Sequence, residues 1–456
     1  MPHRGWPNRD AVLRWAVGAA VWAFVLGNVA AILWLWIANH NLDFTFAHNY
    51  WAAWWNRLGG LTGLVGAFLA LVQVLLLARL PLLGRTIGFD RLTVWHRWNG
   101  YLVLILVLAH TVLAVLGFAM DAHNPFFDEF WYLLANNIQV GMVTATVGLA
   151  LFVLVTVSSI TLARRHLRYE HWYWVHITAY AGIALAWFHQ IPTGGDINPA
   201  FHSDATAYWR VLFFGTLALL AFRVLTPVWS GFRYRLRVAE VIAEGPEVTS
   251  IRMTGRKLQR LHARPGQFLL WRFLTGGFWW TAHPFSLSAA PDGRSLRISV
   301  KASGDHTRRM RSIPVGTRVV AEGPYGAFTE AVRRRRKALL IAGGIGITPV
   351  RALAETMDGD VEVIYRVLRE EDIVFARELD EISTGRGVGV RYVVGDHRSE
   401  EGRDLLTARH LRELVPDLPE RDVYLCGPPA MVAAIERDVR GAGVARRALH
   451  VERFAL

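Results

Sequence analysis

Six long apolar runs occupy the first half of the chain, and polar segments separate them. They cover residues 11–38, 61–80, 92–120, 138–160, 172–191 and 208–228. A helix needs about 20 predominantly apolar residues to cross a bilayer, and each run reaches or approaches that length. The pattern therefore predicts a six-helix transmembrane bundle over residues 1–230, with the lipid bilayer as its partner.

The hydrophobic pattern changes after about residue 230. Residues 231–333 contain short alternating segments, rich in β-branched residues and separated by Gly and Pro, which is typical of a small antiparallel β-barrel. Residues 334–456 alternate apolar strands with helical segments, which predicts a parallel sheet covered by helices on both faces. The chain is therefore predicted to be a multidomain membrane protein with a helical bundle, an antiparallel β-barrel domain and an α/β domain.

Composition excludes several classes of protein. Hydrophobic residues make up 53% of the 456 residues, and the formal charge is +13. Since many arginines flank the apolar runs, this charge indicates membrane topology, and we expect no nucleic-acid partner. The single cysteine, Cys426, excludes a disulfide framework. It also excludes a four-cysteine zinc site or an iron–sulfur cluster held by this chain alone.

Arginines follow a positive-inside distribution along the predicted bundle. Three segments on one side contain Arg4, Arg9 and Arg14; Arg79, Arg85 and Arg91; and Arg164, Arg165 and Arg168. The alternate loops are acidic or neutral apart from Arg57, so the N-terminus and everything after the sixth run should be cytoplasmic. No cleavable signal peptide is expected. We expect a multi-pass protein of the plasma (inner) membrane.

Four histidines lie inside apolar runs, two in the third run and two in the fifth. Ionisable side chains are costly inside a membrane and usually serve a function. His96 and His110 are 14 residues apart, a rise of about 21 Å, and His176 and His189 are 13 apart, a rise of about 20 Å. The four imidazoles therefore predict two sites at matching depths. Two axial nitrogen ligands at each site suit haem iron.

The angular phase of the fifth helix leaves a second ligand possible. Thirteen residues place His189 about 140° from His176, whereas His171 lies 18 residues, or five whole turns, before His189. The rise of about 27 Å from His171 fits the third helix poorly, and His171 lies beside Glu170 at the polar start of its helix. We therefore favour His176 and expect a local distortion in the fifth helix.

These histidine spacings, together with the segment YEHWYWVH before the fifth run, resemble the ferric reductase and NADPH oxidase transmembrane family. The resemblance covers the whole chain. It implies two b-type haems, one held by His96 with His176 and the other by His110 with His189. Animal oxidases of this family have a further histidine one turn beyond the outer ligand, where this chain has Ala114.

Glycine-rich loops in the last domain predict a nucleotide site. One strand ends in Gly343-Gly344-Ile345-Gly346-Ile347-Thr348-Pro349. Glycines between a strand and a helix let the backbone approach a pyrophosphate, which the helix N-terminus also favours. The motif Cys426-Gly427-Pro428-Pro429 ends a later strand and should lie at the same carboxyl edge of the sheet.

Several motifs of the second half resemble the ferredoxin–NADP reductase family of flavoproteins. His283-Pro284-Phe285-Ser286 is similar to its flavin-binding strand, in the form found in oxidases. The resemblance implies FAD contacts at Lys301, Ser303, Gly304 and Thr307, nicotinamide nucleotide contacts at Gly343, Gly344, Gly346, Thr348, Pro349, Cys426, Gly427 and Pro428, and an aromatic cover on the flavin ring at Phe454. The implied catalytic residues are Phe454, His283, Ser286 and Cys426.

The second strand of the nucleotide domain is followed by arginines. An acidic residue there would favour NADH, whereas Arg366 or Arg369 could pair with the 2′-phosphate of NADPH. Glu370, Glu371 and Asp372 follow closely. Because of the two arginines we favour NADPH, and because of the nearby acidic residues we keep NADH as the alternative.

A hydride carries two electrons and a haem accepts one, so a flavin belongs between them. We predict an oxidoreductase that passes electrons from cytoplasmic NAD(P)H through FAD and two haems to an outer acceptor. The acceptor is oxygen, giving superoxide, or a ferric chelate. Two other functions stay open: a haem-binding membrane sensor regulated by the flavoprotein half, and a membrane-anchored flavin reductase without transmembrane electron transfer. The sequence does not indicate the oligomeric state.

Overall fold

The computed structural model describes residues 9–39, 42–45, 47–136, 141–160, 169–193, 203–396, 399, 402 and 404–454. The chain divides into two compact units. The helical unit contains Ala16–Leu80 and Asp90–Arg223, and the sheet unit contains Met1–Trp15, Pro81–Phe89 and Val224–Leu456. Four of the loop arginines that predict orientation, namely Arg4, Arg164, Arg165 and Arg168, lie outside the described residues.

Long α-helices form where the apolar runs predict them. They are α1 (Arg9–Ala38), α2 (Tyr50–Leu76), α4 (Phe89–Ala122), α6 (Met142–Ser159), α7 (Tyr169–Thr193) and α8 (Ser203–Tyr234), with the shorter α3 (Pro81–Thr86) and α5 (Phe126–Asn136) between them. Helices of this length suit a membrane, in which backbone polar groups must be satisfied within the segment itself.

Five stretches among the described residues are long and apolar enough to cross a membrane. They are Trp15–Ala38, Tyr50–Leu76, Arg91–Ala122, Met142–Ser159 and Ala205–Tyr234. Helix α7 has the length, at 25 residues, but it contains three histidines and several hydroxyl-bearing side chains. It falls outside these five for that reason, and the sixth span stays a prediction.

Glycines bring pairs of helices close together inside the helical unit. A Cβ atom added to Gly59 of α2 would lie 2.9 Å from the backbone nitrogen of Ala114 in α4. A Cβ atom added to Gly148 of α6 would lie 2.9 Å from the carbonyl oxygen of Gly182 in α7. Small residues allow such close backbone approach between membrane helices. These contacts hold α4 and α7, the two helices that carry the histidine pairs, against their neighbours.

The first half of the sheet unit is an antiparallel sheet of six strands. The strands are β1 (Leu236–Ala243), β2 (Val248–Thr254), β3 (Phe268–Phe273), β4 (His283–Ser286), β5 (Ser295–Lys301) and β6 (Arg318–Tyr325), and their order is β4-β3-β6-β1-β2-β5. A bridge between Leu287, just after β4, and Ile298 of β5 joins the two edges. Ile251, Met253 and Trp271 fill the interior with essentially no exposure to solvent. A short helix, α9 (Asp305–Arg309), follows β5.

The second half of the sheet unit is a parallel sheet of five strands. These are β7 (Lys337–Gly343), β8 (Asp360–Val367), β9 (Gly389–Val394), β10 (Asp422–Gly427) and β11 (Leu449–Arg453), in the order β11-β10-β7-β8-β9. The helices are α10 (Ile347–Ala354), α11 (Ala376–Arg386), α12 (Ala408–Leu414) and α13 (Pro429–Gly441). Chain order reverses between β7 and β10, and in such sheets ligands bind beyond the carboxyl ends of the strands at that point.

Candidate cofactor sites

Two pairs of histidine side chains face each other between α4 and α7. The ring centres of His96 and His176, the first pair, lie 6.0 Å apart. The ring centres of His110 and His189, the second pair, lie 6.1 Å apart. The structure therefore brings together the four histidines that the spacing singles out, in the predicted combination.

The separation of the rings fits one shared metal atom in each pair. A metal stands about 2 Å from a ligating imidazole nitrogen, and that nitrogen lies about 1 Å from its ring centre, so two ligands on opposite sides have centres about 6 Å apart. Among the described residues, no group of three or more histidine, cysteine, aspartate or glutamate side chains could hold a bare metal ion. Two protein ligands suit haem iron, because its macrocycle supplies the other nitrogens.

Hydrogen bonds at Nδ1 set the orientation of the imidazoles in the second pair. Nδ1 of His110 lies 2.8 Å from the Gly59 carbonyl oxygen, and Nδ1 of His189 lies 2.6 Å from the Ala186 carbonyl oxygen. A carbonyl only accepts, so each Nδ1 carries the proton and each Nε2 keeps its lone pair. Metal-ligating histidines are usually held in this way.

A serine hydroxyl performs the same task in the first pair. Ser159 Oγ donates to the Val155 carbonyl oxygen at 2.6 Å, so its lone pairs face Nδ1 of His176 at 3.2 Å and the indole nitrogen of Trp172 at 3.2 Å. Because the hydroxyl hydrogen is already used, Nδ1 of His176 is the donor and Nε2 is left for a metal. Nδ1 of His96 is buried and forms no hydrogen bond with the described residues that meets geometric criteria.

Two glycines make room for the second pair. A Cβ atom on Gly63 would lie 2.7 Å from Nδ1 of His110, and one on Gly141 would lie 2.8 Å from Cα of His189. Gly141 also has a φ of 89°, which favours glycine. Ser159, Gly63 and Gly141 were not predicted as site residues. The spacing of glycine and serine along an apolar helix carries no signal for such contacts.

The alternative ligand, His171, is exposed on α7. The predicted local distortion of the fifth helix is wrong, since Tyr169–Thr193 is a single uninterrupted α-helix. Rotation about χ1 moves an imidazole well away from the direction of its Cα–Cβ bond. His176 and His189 both face α4 from this uninterrupted helix.

The predicted flavin strand is β4, and it pairs with β3. The ring of His283 lies 4.0 Å from that of His306 in α9 and 6.2 Å from that of Phe285, centre to centre. Nε2 of His283 lies 3.1 Å from Thr281 Oγ1. Burial, followed by the charge of His306, lowers the pKa of His283 to about 4, so the imidazole is neutral at pH 7. These aromatic side chains fit a flat heteroaromatic ligand.

The residues predicted for the FAD pyrophosphate gather at the end of β5. Lys301 forms an ion pair with Glu247 at 3.5 Å. Thr307 Oγ1 accepts the backbone N–H groups of Ser303 and Gly304, each at 3.0 Å. These two N–H groups are therefore engaged by Thr307, and the Lys301 ammonium is the charged group at the end of β5.

A cavity of about 760 Å³ opens at the carboxyl edge of the parallel sheet. Gly343, Gly344 and Pro428 line it, as the loop motifs predict, and Lys301, Arg366 and Arg369 contribute positive charge. Gly346 packs so closely against the Cys426 carbonyl that a Cβ atom would collide with it. Glycine at these positions therefore keeps backbone at the wall of the cavity, which suits a nucleotide.

The other predicted nucleotide residues have buried side chains. Thr348 is buried and donates to the Ile345 carbonyl oxygen at 3.0 Å, and Pro349 is buried beside it. Cys426 lies fully inside the hydrophobic core, where burial raises the pKa of its thiol. Phe454 is partly buried, and its N–H donates to the Gly427 carbonyl oxygen at 3.2 Å. Phe454 therefore lies at the carboxyl end of β10, beside the second loop.

The two arginines predicted for the 2′-phosphate differ in their partners. Nη1 of Arg366 donates to the carbonyl oxygens of Val367 and Val393, at 2.6 and 3.2 Å. Arg369 is exposed and pairs with Glu371 at 2.5 Å and with Asp372 at 3.3 Å. Both arginines line the cavity, but Arg366 is buried and holds the edge of the sheet, whereas Arg369 is exposed.

Family models match three successive parts of the chain. "Ferric reductase like transmembrane component" matches residues 62–187, "FAD-binding domain" residues 233–329, and "Oxidoreductase NAD-binding domain" residues 340–437. The chain is an oxidoreductase of the ferric reductase type. The matched membrane part contains His96, His110 and His176, and His189 follows two residues after its end. The FAD-binding match contains the whole antiparallel sheet, and the NAD-binding match contains β8, β9, β10 and the second half of β7.

Individual relatives match about half of the chain. An "NADPH oxidoreductase" of Mycobacterium tuberculosis is 26% identical over 58% of this chain and 70% of its own length. A "Flavohemoprotein" of Chromobacterium violaceum is 32% identical over 50% of this chain and 61% of its own length. Among solved structures, the FAD/NAD-binding domain of nitric oxide dioxygenase from Vibrio cholerae is 26% identical over 48% of this chain and 98% of that one, with a TM-score of 0.42.

Proposed function

We propose that the protein is a transmembrane oxidoreductase that moves electrons from NAD(P)H to an acceptor across the membrane, with FAD and two b-type haems as cofactors. The proposal rests on the two histidine pairs, with ring centres 6.0 and 6.1 Å apart. When bound, FAD accepts a hydride and releases its electrons singly, which is the exchange that haem iron requires.

The helical unit would supply the histidine ligands of the haems. His96 and His176 would hold one haem, and His110 and His189 the other, through Nε2. Ser159 and the carbonyls of Gly59 and Ala186 keep three of these imidazoles in the Nδ1–H form that leaves Nε2 free. The 14 residues from His96 to His110 along α4 correspond to a rise of about 21 Å.

The sheet unit supplies the flavin and nucleotide sites. His283 and Ser286 of β4, with Phe454, would surround the flavin ring, and Lys301 would neutralise the pyrophosphate. The glycines at positions 343 and 344 would place the nicotinamide nucleotide in the cavity at the carboxyl edge. Cys426 contributes through its backbone, because its thiol lies in the core.

We favour NADPH over NADH because Arg369 lines the cavity and is exposed. One relative also carries the name NADPH oxidoreductase. Arg369→Ala should raise the KM for NADPH about tenfold or more, since a hydrogen bond to a charged group contributes about 1.5–3 kcal/mol, and should leave the KM for NADH unchanged. Arg366→Ala should lower stability without changing the preference. Equal KM values for both nucleotides in the wild type and in Arg369→Ala would exclude this assignment.

The loop arginines support a cytoplasmic sheet unit and an acceptor on the outer side, next to His110 and His189. The acceptor is oxygen or a ferric chelate. One turn beyond His110, the backbone of Ala114 packs against Gly59, and its methyl side chain offers no hydrogen-bonding group to an oxygen molecule. Reduction of a membrane-impermeant ferric chelate and release of superoxide, measured on the same right-side-out vesicles, separate these two acceptors.

Optical spectra of the purified protein in detergent test the proposal. Electron transfer predicts a low-spin b-haem spectrum, split into two components, that NADPH generates as fully as dithionite does. Haem that dithionite reduces and NADPH does not would favour a sensor regulated by its flavoprotein half. A preparation with FAD and no haem would leave a membrane-anchored flavin reductase.

A further inference from the structure

Three charged side chains join the antiparallel sheet to two helices of the parallel-sheet half. Arg297 of β5 donates two hydrogen bonds of 2.8 Å each to the carboxylate of Glu378 in the first turn of α11. Nε of Arg351 in α10 lies 2.7 Å from Oε2 of the same carboxylate. We name this set, Arg297, Glu378 and Arg351, the interdomain bridge.

A second arm extends the interdomain bridge to the segment that directly follows β4. Arg351 also pairs with Glu355, whose Oε2 accepts the backbone N–H of Ala290 at 2.7 Å. Nη2 of Arg297 donates to the Ser288 carbonyl oxygen at 2.9 Å. These contacts therefore attach the segment after β4, the predicted flavin strand, to α10, the helix that follows the glycine-rich loop.

The interdomain bridge also contacts a residue with an unusual backbone conformation. Phe375 precedes α11 with a φ of 63°, which is uncommon for a bulky residue, and it is buried. The Arg297 guanidinium lies 5.1 Å from the centre of the Phe375 ring, within the range of a cation–π contact. Asp372 and Val374, just before Phe375, line the nucleotide cavity. Strained residues of this kind often occur at functional sites.

Burial separates this cluster from the other ion pairs of α11. The side chains of Arg297, Arg351 and Glu378 are 14%, 9% and 26% exposed, whereas Arg377 and Glu381 on the same helix are 92% and 63% exposed. Burial raises the pKa of Glu378, but the hydrogen bond from Arg297 and the charges of both arginines outweigh burial and lower it. Glu378 is therefore a half-buried, ionised group held between two largely buried arginines, and loss of its charge would leave both arginines without this partner.

We infer that the interdomain bridge is a positioning device that fixes the flavin strand relative to the nucleotide loop, so that a nicotinamide bound in the cavity meets the flavin ring. Arg297, Glu378 and Arg351 are positioning residues. This inference rests on the proposed function of the two sheets, but not on the haems. Hydride transfer is sensitive to distance, and a misplacement of 1 Å can cost about 100-fold in rate.

Glu378→Gln tests the inference in the full-length protein. It keeps the shape of the side chain and removes the charge that holds two arginines. We expect the limiting rate of flavin reduction by NADPH in a stopped-flow instrument to fall about 10- to 100-fold, with a small change in KM. The long-wavelength absorption of nicotinamide stacked on flavin should weaken, while FAD content and the dithionite-reduced spectrum stay unchanged. Hydrogen exchange should rise at residues 287–290 and 376–386.

Two further variants make the result specific. Glu381→Gln removes the exposed pair with Arg377 on the same helix and should leave the flavin reduction rate and the hydrogen exchange unchanged. Arg297→Lys keeps the charge and loses the bidentate geometry, so its rate should lie between those of the wild type and Glu378→Gln. It also decides the question if Glu378→Gln does not fold.

The inference would be overturned if Glu378→Gln leaves the flavin reduction rate and the hydrogen exchange unchanged. If Glu378→Gln does not fold, the same result in Arg297→Lys would overturn it. Either result would leave the proposed function intact. A second result would distinguish the two ideas in the other direction, namely that NADPH reduces the flavin of the wild type and no haem. It would contradict the proposed function, and the inference would stand.

Discussion

The helical unit would hold its cofactors with four side chains, whereas the nucleotide cavity of the sheet unit is lined by backbone at Gly343 and Gly344. In the helical unit, the ligands stand on long, mostly apolar helices, and a hydrogen bond at Nδ1 orients three of the four imidazoles. In the sheet unit, the loop is shaped by close approach of backbone to backbone, as between Gly346 and Cys426.

This difference predicts opposite mutational behaviour. A side-chain ligand is lost when the side chain is removed, and the helix that carries it survives. A backbone site has no side chain to remove, so it fails when a Cβ atom is added. Four experiments test this contrast.

Removal of either ligand in the second histidine pair should have the largest effect. His110→Ala or His189→Ala should eliminate one of the two haems and abolish reduction of external acceptors, because a single imidazole cannot hold the iron from both sides. Flavin-level diaphorase activity should survive, since the sheet unit is unaltered. Haem content per FAD and external ferric reduction are the measurements. His171→Ala is the control and should behave as the wild type, whereas full external reduction by His189→Ala would refute the pairing.

Addition of one methyl group to the nucleotide loop should have the next largest effect. Gly346→Ala places a Cβ atom against the Cys426 carbonyl, and overpacking of this kind costs about 1–3 kcal/mol. Reduction of the flavin by NADPH should be impaired more than tenfold, while both haems stay bound and dithionite still reduces them. The matched control is Gly385→Ala, because a Cβ atom there meets no atom within 4 Å. A normal KM and rate in Gly346→Ala would show that the loop does not bind nucleotide.

Site residues could be predicted from the sequence where their residue type is unusual in its local context or belongs to a motif. The four histidines stand out because they are ionisable groups in apolar runs, and the order of motifs after residue 230 agrees with the FAD- and NAD-binding matches. Ser159, Gly63 and Glu378 are different, because ordinary serines, glycines and helix carboxylates have the same local pattern. Their contacts join residues 17, 47 and 81 positions apart, which depends on how the elements pack.

The same reason explains two further features that the sequence does not show. Nothing local shows that Arg366 donates to the carbonyl oxygens of Val367 and Val393, because its partner at Val393 belongs to a neighbouring strand. The distortion expected in α7 assumed that a histidine points along its Cα–Cβ direction. The side chains of His176 and His189 instead reach their partners from a regular helix.

Ser159→Ala should have an intermediate effect, confined to the first histidine pair. Loss of the hydroxyl leaves Nδ1 of His176 without its acceptor, and such outer partners typically contribute about 10–100-fold to ligand affinity. One haem should be lost more readily during detergent dialysis, and its reduction potential should shift, while the other haem is unaffected. Ser158→Ala is the control, since that hydroxyl is also buried and bonds only to the Val155 carbonyl among the contacts described. Equal haem retention in both variants would mean that Ser159 does not act on the site.

The smallest effect concerns acid stability of the sheet unit, where the pKa of His283 is lowered to about 4 by burial and by the charge of His306. Between pH 6.5 and about 4, His283 binds a proton in the unfolded chain and not in the folded one, so stability falls as the pH decreases through this range. His283→Phe removes the imidazole that takes up this proton on unfolding. The temperature of FAD release, followed by flavin fluorescence, should therefore drop less between pH 7 and pH 5 in His283→Phe than in the wild type. His262→Asn, which replaces an exposed histidine of the same unit, should retain the wild-type drop. An undiminished drop in His283→Phe would mean that another group causes the acid sensitivity. It would also contradict the prediction that a single side chain affects cofactor retention in the sheet unit, as it does between the helices.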